Sequence, residues 1–137
     1  MLFGKIKQAE AANRHIELSL HGLFKKTVTP ETEWIEAIGI LLDNAIEASP
    51  KGSTVFLSSK KQGDFLKLTV SNPAPPLSNT EFMALFGKGV TTKASRDGHG
   101  FGLYNILRMT ERYHGKILTR NESILNENYV VFGILMP

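Results

Sequence analysis

The 137 residues, 42% hydrophobic and 21% charged, suffice for one globular domain with its own core and leave little room for a second. A net charge of +3, with Lys and Arg scattered rather than gathered in a block, suits an anionic ligand but does not indicate nucleic acid. Zero cysteines exclude a disulfide scaffold and a thiolate metal site. No apolar run reaches the roughly eighteen residues of a membrane span and the start lacks a signal pattern, so a soluble chain without membrane contact is expected.

Lys5 to Asn13 reads as a short polar helix, the end of a connector, and His15 to Leu20 alternates like a strand. Thr29-Pro30-Glu31 then has the chemistry of a helix start: a hydroxyl cap, a proline where no amide donor is needed, and an acid in the first turn. The helix should run to about Ser49, with Trp34, Ile38, Leu41, Leu42 and Ala45 on one face packed against a sheet. Thr54 to Ser59 and Phe65 to Ser71 are β-rich runs around Lys61-Gln62-Gly63-Asp64, an antiparallel hairpin, and Asn72-Pro73-Ala74-Pro75-Pro76 should end the second strand.

A short helix near Thr80 to Leu85 leads into a polar loop, Gly87 to Asp97, expected to be mobile. Leu103, Ile106, Leu107 and Thr110 mark one face of a further helix, ending near Gly115, where glycine can take a left-handed cap. Lys116 to Arg120 and Tyr129 to Met136 read as closing strands. The expected fold class is α+β, an α/β sandwich with one mixed, largely antiparallel sheet and helices on one face.

Two stretches carry candidate chemistry. Asn44 lies about 60° from Leu41 around the first long helix, at the edge of its buried face, where an amide oxygen can reach a cleft. Magnesium bound with ATP takes only one or two protein oxygens, so Asn44 can be a metal ligand, or else an ordinary polar residue at a helix border. Glu47 and Asp43 read as solvated helix carboxylates. Gly98, Gly100 and Gly102 precede a helix, so their amides and the helix amino end can face an anion; alone, they are equally a flexible turn. They follow a polar loop rather than a strand, unlike a dinucleotide-binding fingerprint, and there is no Walker sequence.

Gly39-Ile40-Leu41-Leu42-Asp43-Asn44-Ala45-Ile46-Glu47-Ala48, followed by Leu85-Phe86-Gly87-Lys88-Gly89-Val90-Thr91-Thr92-Lys93 and Gly98-His99-Gly100-Phe101-Gly102-Leu103, resembles the nucleotide site of the GHKL ATPase superfamily. That superfamily includes sensor histidine kinases, type II topoisomerases, heat-shock chaperones and mismatch-repair ATPases. The resemblance covers about Thr29 to Pro137 and is closest to kinases of the Agr-type quorum-sensing branch. It implies the Bergerat fold, with residues 1–14 as the end of a connector helix from an upstream region and residues 15–137 as the ATP-binding catalytic domain.

The resemblance further implies ATP and Mg²⁺ as cofactors, with Asn44 as magnesium ligand and Asn72, Thr91, Thr92, Lys93, Gly98, His99, Gly100, Phe101, Gly102 and Leu103 around the nucleotide. Arg96 and Lys88 stand behind Lys93 as further phosphate contacts. Asn72 falls where the family usually has an Asp that receives adenine's amino group, and Ala74 and Pro76 fall where glycines are usual. Because an amide can offer either a donor or an acceptor, weaker discrimination against GTP is expected. Val131 stands where a hydroxyl residue often helps the adenine contact.

None of His15, His21, His99 and His114 has the setting of a phosphoacceptor. The resemblance therefore implies a phosphodonor domain, without a catalytic residue of its own, that serves the dimerisation and phosphoacceptor helices of a longer kinase and, indirectly, a response regulator. It would be the cytoplasmic portion of a membrane sensor kinase. A gyrase-type hydrolase is disfavoured because Ile40 occupies the place of the water-activating Glu. An anti-sigma-type serine kinase and a degenerate nucleotide-binding or protein-interaction domain are the remaining alternatives.

Overall fold

The structure, a computed structural model, describes residues 2–22, 26–87 and 102–137. In chain order it contains α1 (Leu2–Ala11), β1 (His15–Leu20), α2 (Glu31–Ala48), β2 (Thr54–Gln62), β3 (Phe65–Pro73), α3 (Asn79–Ala84), α4 (Gly102–Arg112), β4 (Lys116–Ile124) and β5 (Glu127–Met136). The strands form one five-stranded sheet in the order β1-β2-β3-β5-β4. Only β1 and β2 are parallel, because α2 crosses between them; the other pairings are antiparallel. The mixed, largely antiparallel sheet with helices on one face is the expected α+β sandwich.

Strand alternation sends Val55 and Leu57 of β2, Leu66, Leu68 and Val70 of β3, and Ile134 and Met136 of β5 to the same side. There they are buried with Trp34, Ile38, Leu41, Leu42 and Ala45, the face expected of α2. Each large side chain so buried contributes about 1.5–3 kcal/mol, enough for this stripe to fix α2 on the sheet regardless of helix propensity.

Local details depart from the sequence expectations. Thr29 does not cap α2: Pro30 occupies the cap position without a side-chain bond, and Thr29 donates both its amide and its hydroxyl to Pro137 O, each at 2.9 Å. The start of α2 is thereby tied to the end of β5. β3 continues through Asn72 to Pro73, which is tolerated because β2 pairs only as far as Ser71 and leaves that flank open. The left-handed residue after α4 is His114, with φ of 61°, and not Gly115. Gly115 is needed for space, since a Cβ there would meet Leu135 O at 2.6 Å and the sulfur of Met136. β4 and β5 extend to a tight turn at Leu125 and Asn126, both at positive φ. Leucine is an unusual occupant of such a turn, which hid this hairpin in the sequence.

Candidate functional site

Asn44 is half-buried at the margin of α2's apolar stripe, and its side chain makes no hydrogen bond to any described residue. Its neighbour Asp43 is engaged, accepting from Lys5 Nζ at 2.7 and 2.9 Å. Glu47, one turn beyond Asn44, is also half-buried. Of the motif's polar side chains, Asn44 is thus left available to a ligand while Asp43 is committed to α1.

Gly102 is the first residue of α4, and Leu103 packs against the core. A Cβ on Gly102 would stand 3.1 Å from Ile40 Cγ2. The start of α4 therefore lies against α2 one helical turn, about 6 Å, before Asn44. The first amides of a helix have no partner within it and attract anions, so an amide oxygen and a phosphate-seeking helix end share one margin of the fold. Thr91, Thr92, Lys93, Gly98, His99, Gly100 and Phe101, with Lys88 and Arg96 and most of the Gly87 to Asp97 loop, lie outside the described residues.

Asn72 is buried, at 2% exposure, and its Nδ2 donates to Pro73 O at 3.2 Å. It sits opposite Val130 on the same face of the sheet as Val70 and the helices. Val131 pairs with Ser71 and faces the other side, so the residue expected to bear on adenine beside Asn72 does not share its face. An unforeseen feature takes that side: the Phe132 ring lies 5.5 Å from Phe82 and 6.0 Å from Phe86. Phe82 and Phe86, four residues apart, were the available sequence signal for this aromatic wall. It supplies apolar surface on the face of the sheet that carries Asn72.

Three other titratable groups bond within the described residues. Burial, with Glu127 adding to it, pushes the Tyr129 hydroxyl up from its ordinary range, and the hydroxyl donates to Thr54 O at 3.2 Å. His15 bonds Glu17 at 2.8 Å on the exposed side of β1, and His21 lies 3.4 Å from Ser19 Oγ. Among the described residues no group of three His, Asp or Glu could hold a metal ion. A separate groove between α2 and α4, lined by Glu36, Ile40, Asn105 and Met109 among others, includes neither Asn44 nor Asn72.

The GHKL domain family matches residues 32–137. The chain is 30% identical over 133 residues to the sensor protein PhoQ of Escherichia coli, covering 94% of this chain and 26% of that protein. It is 31% identical over 113 residues to the sensor histidine kinase CitA of Klebsiella pneumoniae, covering 80% of this chain and 19% of that one. The chain thus spans about a quarter or less of these relatives. The mycobacterial sensor histidine kinase MprB has the same fold, with a TM-score of 0.77 at 16% identity over 99% of this chain and 95% of that chain. With a family match over most of its length and this fold, the chain belongs to the GHKL domain family and is similar to segments of sensor histidine kinases.

Proposed function

We propose that this domain binds Mg-ATP where α2, β3 and α4 meet and presents the γ-phosphate to a histidine on dimerisation helices outside residues 1–137. The observation that carries this reading is the placement beside the amino end of α4 of an Asn44 that bonds none of the described residues, set by the contact of Ile40 with Gly102. Asn44 would give one oxygen to Mg²⁺, which when bound neutralises phosphate charge. The donor fits, because magnesium with a nucleotide needs only one or two protein oxygens. The amides of Gly102 and Leu103, with Thr91, Thr92, Lys93, Gly98, His99, Gly100 and Phe101, would hold the phosphates, and Asn72 would face the base.

Phosphoryl transfer depends chiefly on positioning and charge neutralisation, which such a site can provide without a nucleophile of its own. Ile40 has no proton acceptor and packs on α4, which supports transfer to a partner over hydrolysis. In this reading residues 1–14 are the end of a connector, residues 15–137 the catalytic domain, and the site of action the cytoplasm, with a response regulator downstream. The run Gly39 to Ala48 and the missing Asp at position 72 support placement near the Agr-type branch.

Calorimetric titration of ATP with and without magnesium tests the reading. Asn44→Ala should abolish most of the magnesium-dependent gain while changing stability by no more than about 0.5 kcal/mol, since the side chain bonds none of the described residues. An undiminished magnesium effect in the variant would end the assignment. Purified chain mixed with ATP should carry no acid-labile phosphate until dimerisation helices are added.

A further inference from the structure

α1 and the turn that follows it are fastened to α2 on both sides of Asn44. Ahead of it, Lys5 reaches Asp43 with both carboxylate oxygens within 2.9 Å, and its Cε passes 3.8 Å from where a Cβ on Gly39 would stand. The lysine stem thus runs over a position of α2 that bears no side chain. Behind it, Arg14 donates through Nη2 and Nε to Ser49 O, the C-cap residue of α2, at 2.7 and 3.2 Å, and through Nη1 to Ala12 O at 2.7 Å. Between these two points Ala9 is fully buried and Ile6 packs on the core, as Leu2 does ahead of them.

The apolar contacts suffice to hold α1 in place, and a partly exposed ion pair contributes little to stability. What the pair adds is register. Asp43 and Asn44 are consecutive residues of one helix, so a cation anchored on the first fixes the rotation and height at which the second meets a ligand. On the functional reading above, we infer that Lys5 is a positioning residue for Asn44, acting through Asp43, so that the placement of α1 sets the metal-dependent part of ATP binding. The nucleotide contacts of α4 and β3 come from elements that this ion pair does not touch, so metal-free binding should be insensitive to it.

The test is calorimetry of ATP, with and without magnesium, on the full chain and on Lys5→Met, which keeps the stem over Gly39 and removes the charge. Lys5→Met should lower the magnesium-dependent gain in affinity by about fivefold, near the lower end of typical coupling between sites. Metal-free affinity should not change, and Lys5→Arg should retain the gain. Asp43→Asn should reproduce the Met effect, which keeps the test decisive if one variant folds poorly. If the wild type gains nothing from magnesium, the functional reading falls and this inference with it. If the wild type gains and both Lys5→Met and Asp43→Asn gain equally, only the positioning role is overturned. A lowered melting temperature with an unchanged magnesium gain would likewise reduce the pair to a structural contact.

Discussion

Ile40 and Gly102 meet across the α2–α4 contact, with Ile40 Cγ2 3.1 Å from the place a Cβ on Gly102 would take. A methyl group fits there only if the Ile40 side chain or the start of α4 gives by a few tenths of an ångström. Gly102→Ala gains up to about 1 kcal/mol of helix propensity, so overall stability should change by less than that amount. Because Ile40 is branched at Cβ and held in α2, the start of α4 should be the part that gives, and ATP affinity should fall. Ile40→Leu conserves volume and removes the branch at Cβ, so the double variant should recover about 1 kcal/mol of binding relative to the sum of the two single changes. Strict additivity in a calorimetric double-mutant cycle would show that the contact does not set the phosphate site.

Asn72→Asp should destabilise the nucleotide-free domain. The new carboxylate cannot donate to Pro73 O, and at 2% exposure the lost bond costs about 1–3 kcal/mol in urea unfolding. An adenine amino group would supply the missing donor to the carboxylate, whereas guanine's carbonyl would oppose it. The ATP-to-GTP affinity ratio should therefore rise about fivefold over wild type. A ratio that stays constant would mean that residue 72 does not face the base.

At the end of α4 the two neighbours should respond oppositely. His114→Gly relieves a left-handed backbone at φ 61° and should stabilise by up to about 1 kcal/mol. Gly115→Ala puts a methyl against Leu135 O and should cost about 1–3 kcal/mol through overpacking. Chemical denaturation of the two variants distinguishes this from a glycine kept for its backbone freedom, which would make Gly115 alone sensitive.

Ser78 and Glu81 form a reciprocal capping box on α3: Ser78 N donates to Glu81 Oε1 at 2.9 Å and Glu81 N to Ser78 Oγ at 3.1 Å. The Ser78 backbone amide, then its side chain, hold the Glu81 carboxyl below its ordinary range, against a small opposing effect of burial. The sign follows: the contribution is fully present above the ordinary carboxylate range and is lost as pH falls through the lowered folded-state value. Hydrogen exchange at α3 amides should accelerate with acidification through that window, beyond the intrinsic pH trend, and Glu81→Gln should flatten the response. A Gln variant with the same acid profile would place the titration elsewhere.

The order of strands and helices was legible because periodicity is local: the α2 stripe and the alternation of β1, β2 and β3 are written in consecutive residues. The places where reading failed depend on contacts distant in sequence. Thr29 has the chemistry of a cap, yet it bonds Pro137, whose position no local pattern gives. Gly115 has the conformational freedom of a turn residue, but its neighbours on β5 decide its role. The motif contains both Asp43 and Asn44, and only a contact from α1, Lys5 on Asp43, separates the two, which spacing within the motif does not give. The side to which Val131 points is set by its register opposite Ser71, a pairing that the sequence of β5 alone does not contain.

The interior position of β5, flanked by β3 and β4, shapes how the domain can be made. A ribosome delivers β1 early, but the strand that joins the β2–β3 hairpin to β4 is the last to emerge, and Thr29 waits for Pro137. Until residues 127–136 clear the exit tunnel, both β3 and β4 present open edges and the face under α2 lacks Ile134 and Met136. Nascent chains stalled before β5 should therefore be protease-sensitive and should engage holding chaperones, whereas chains released only slightly later should resist digestion.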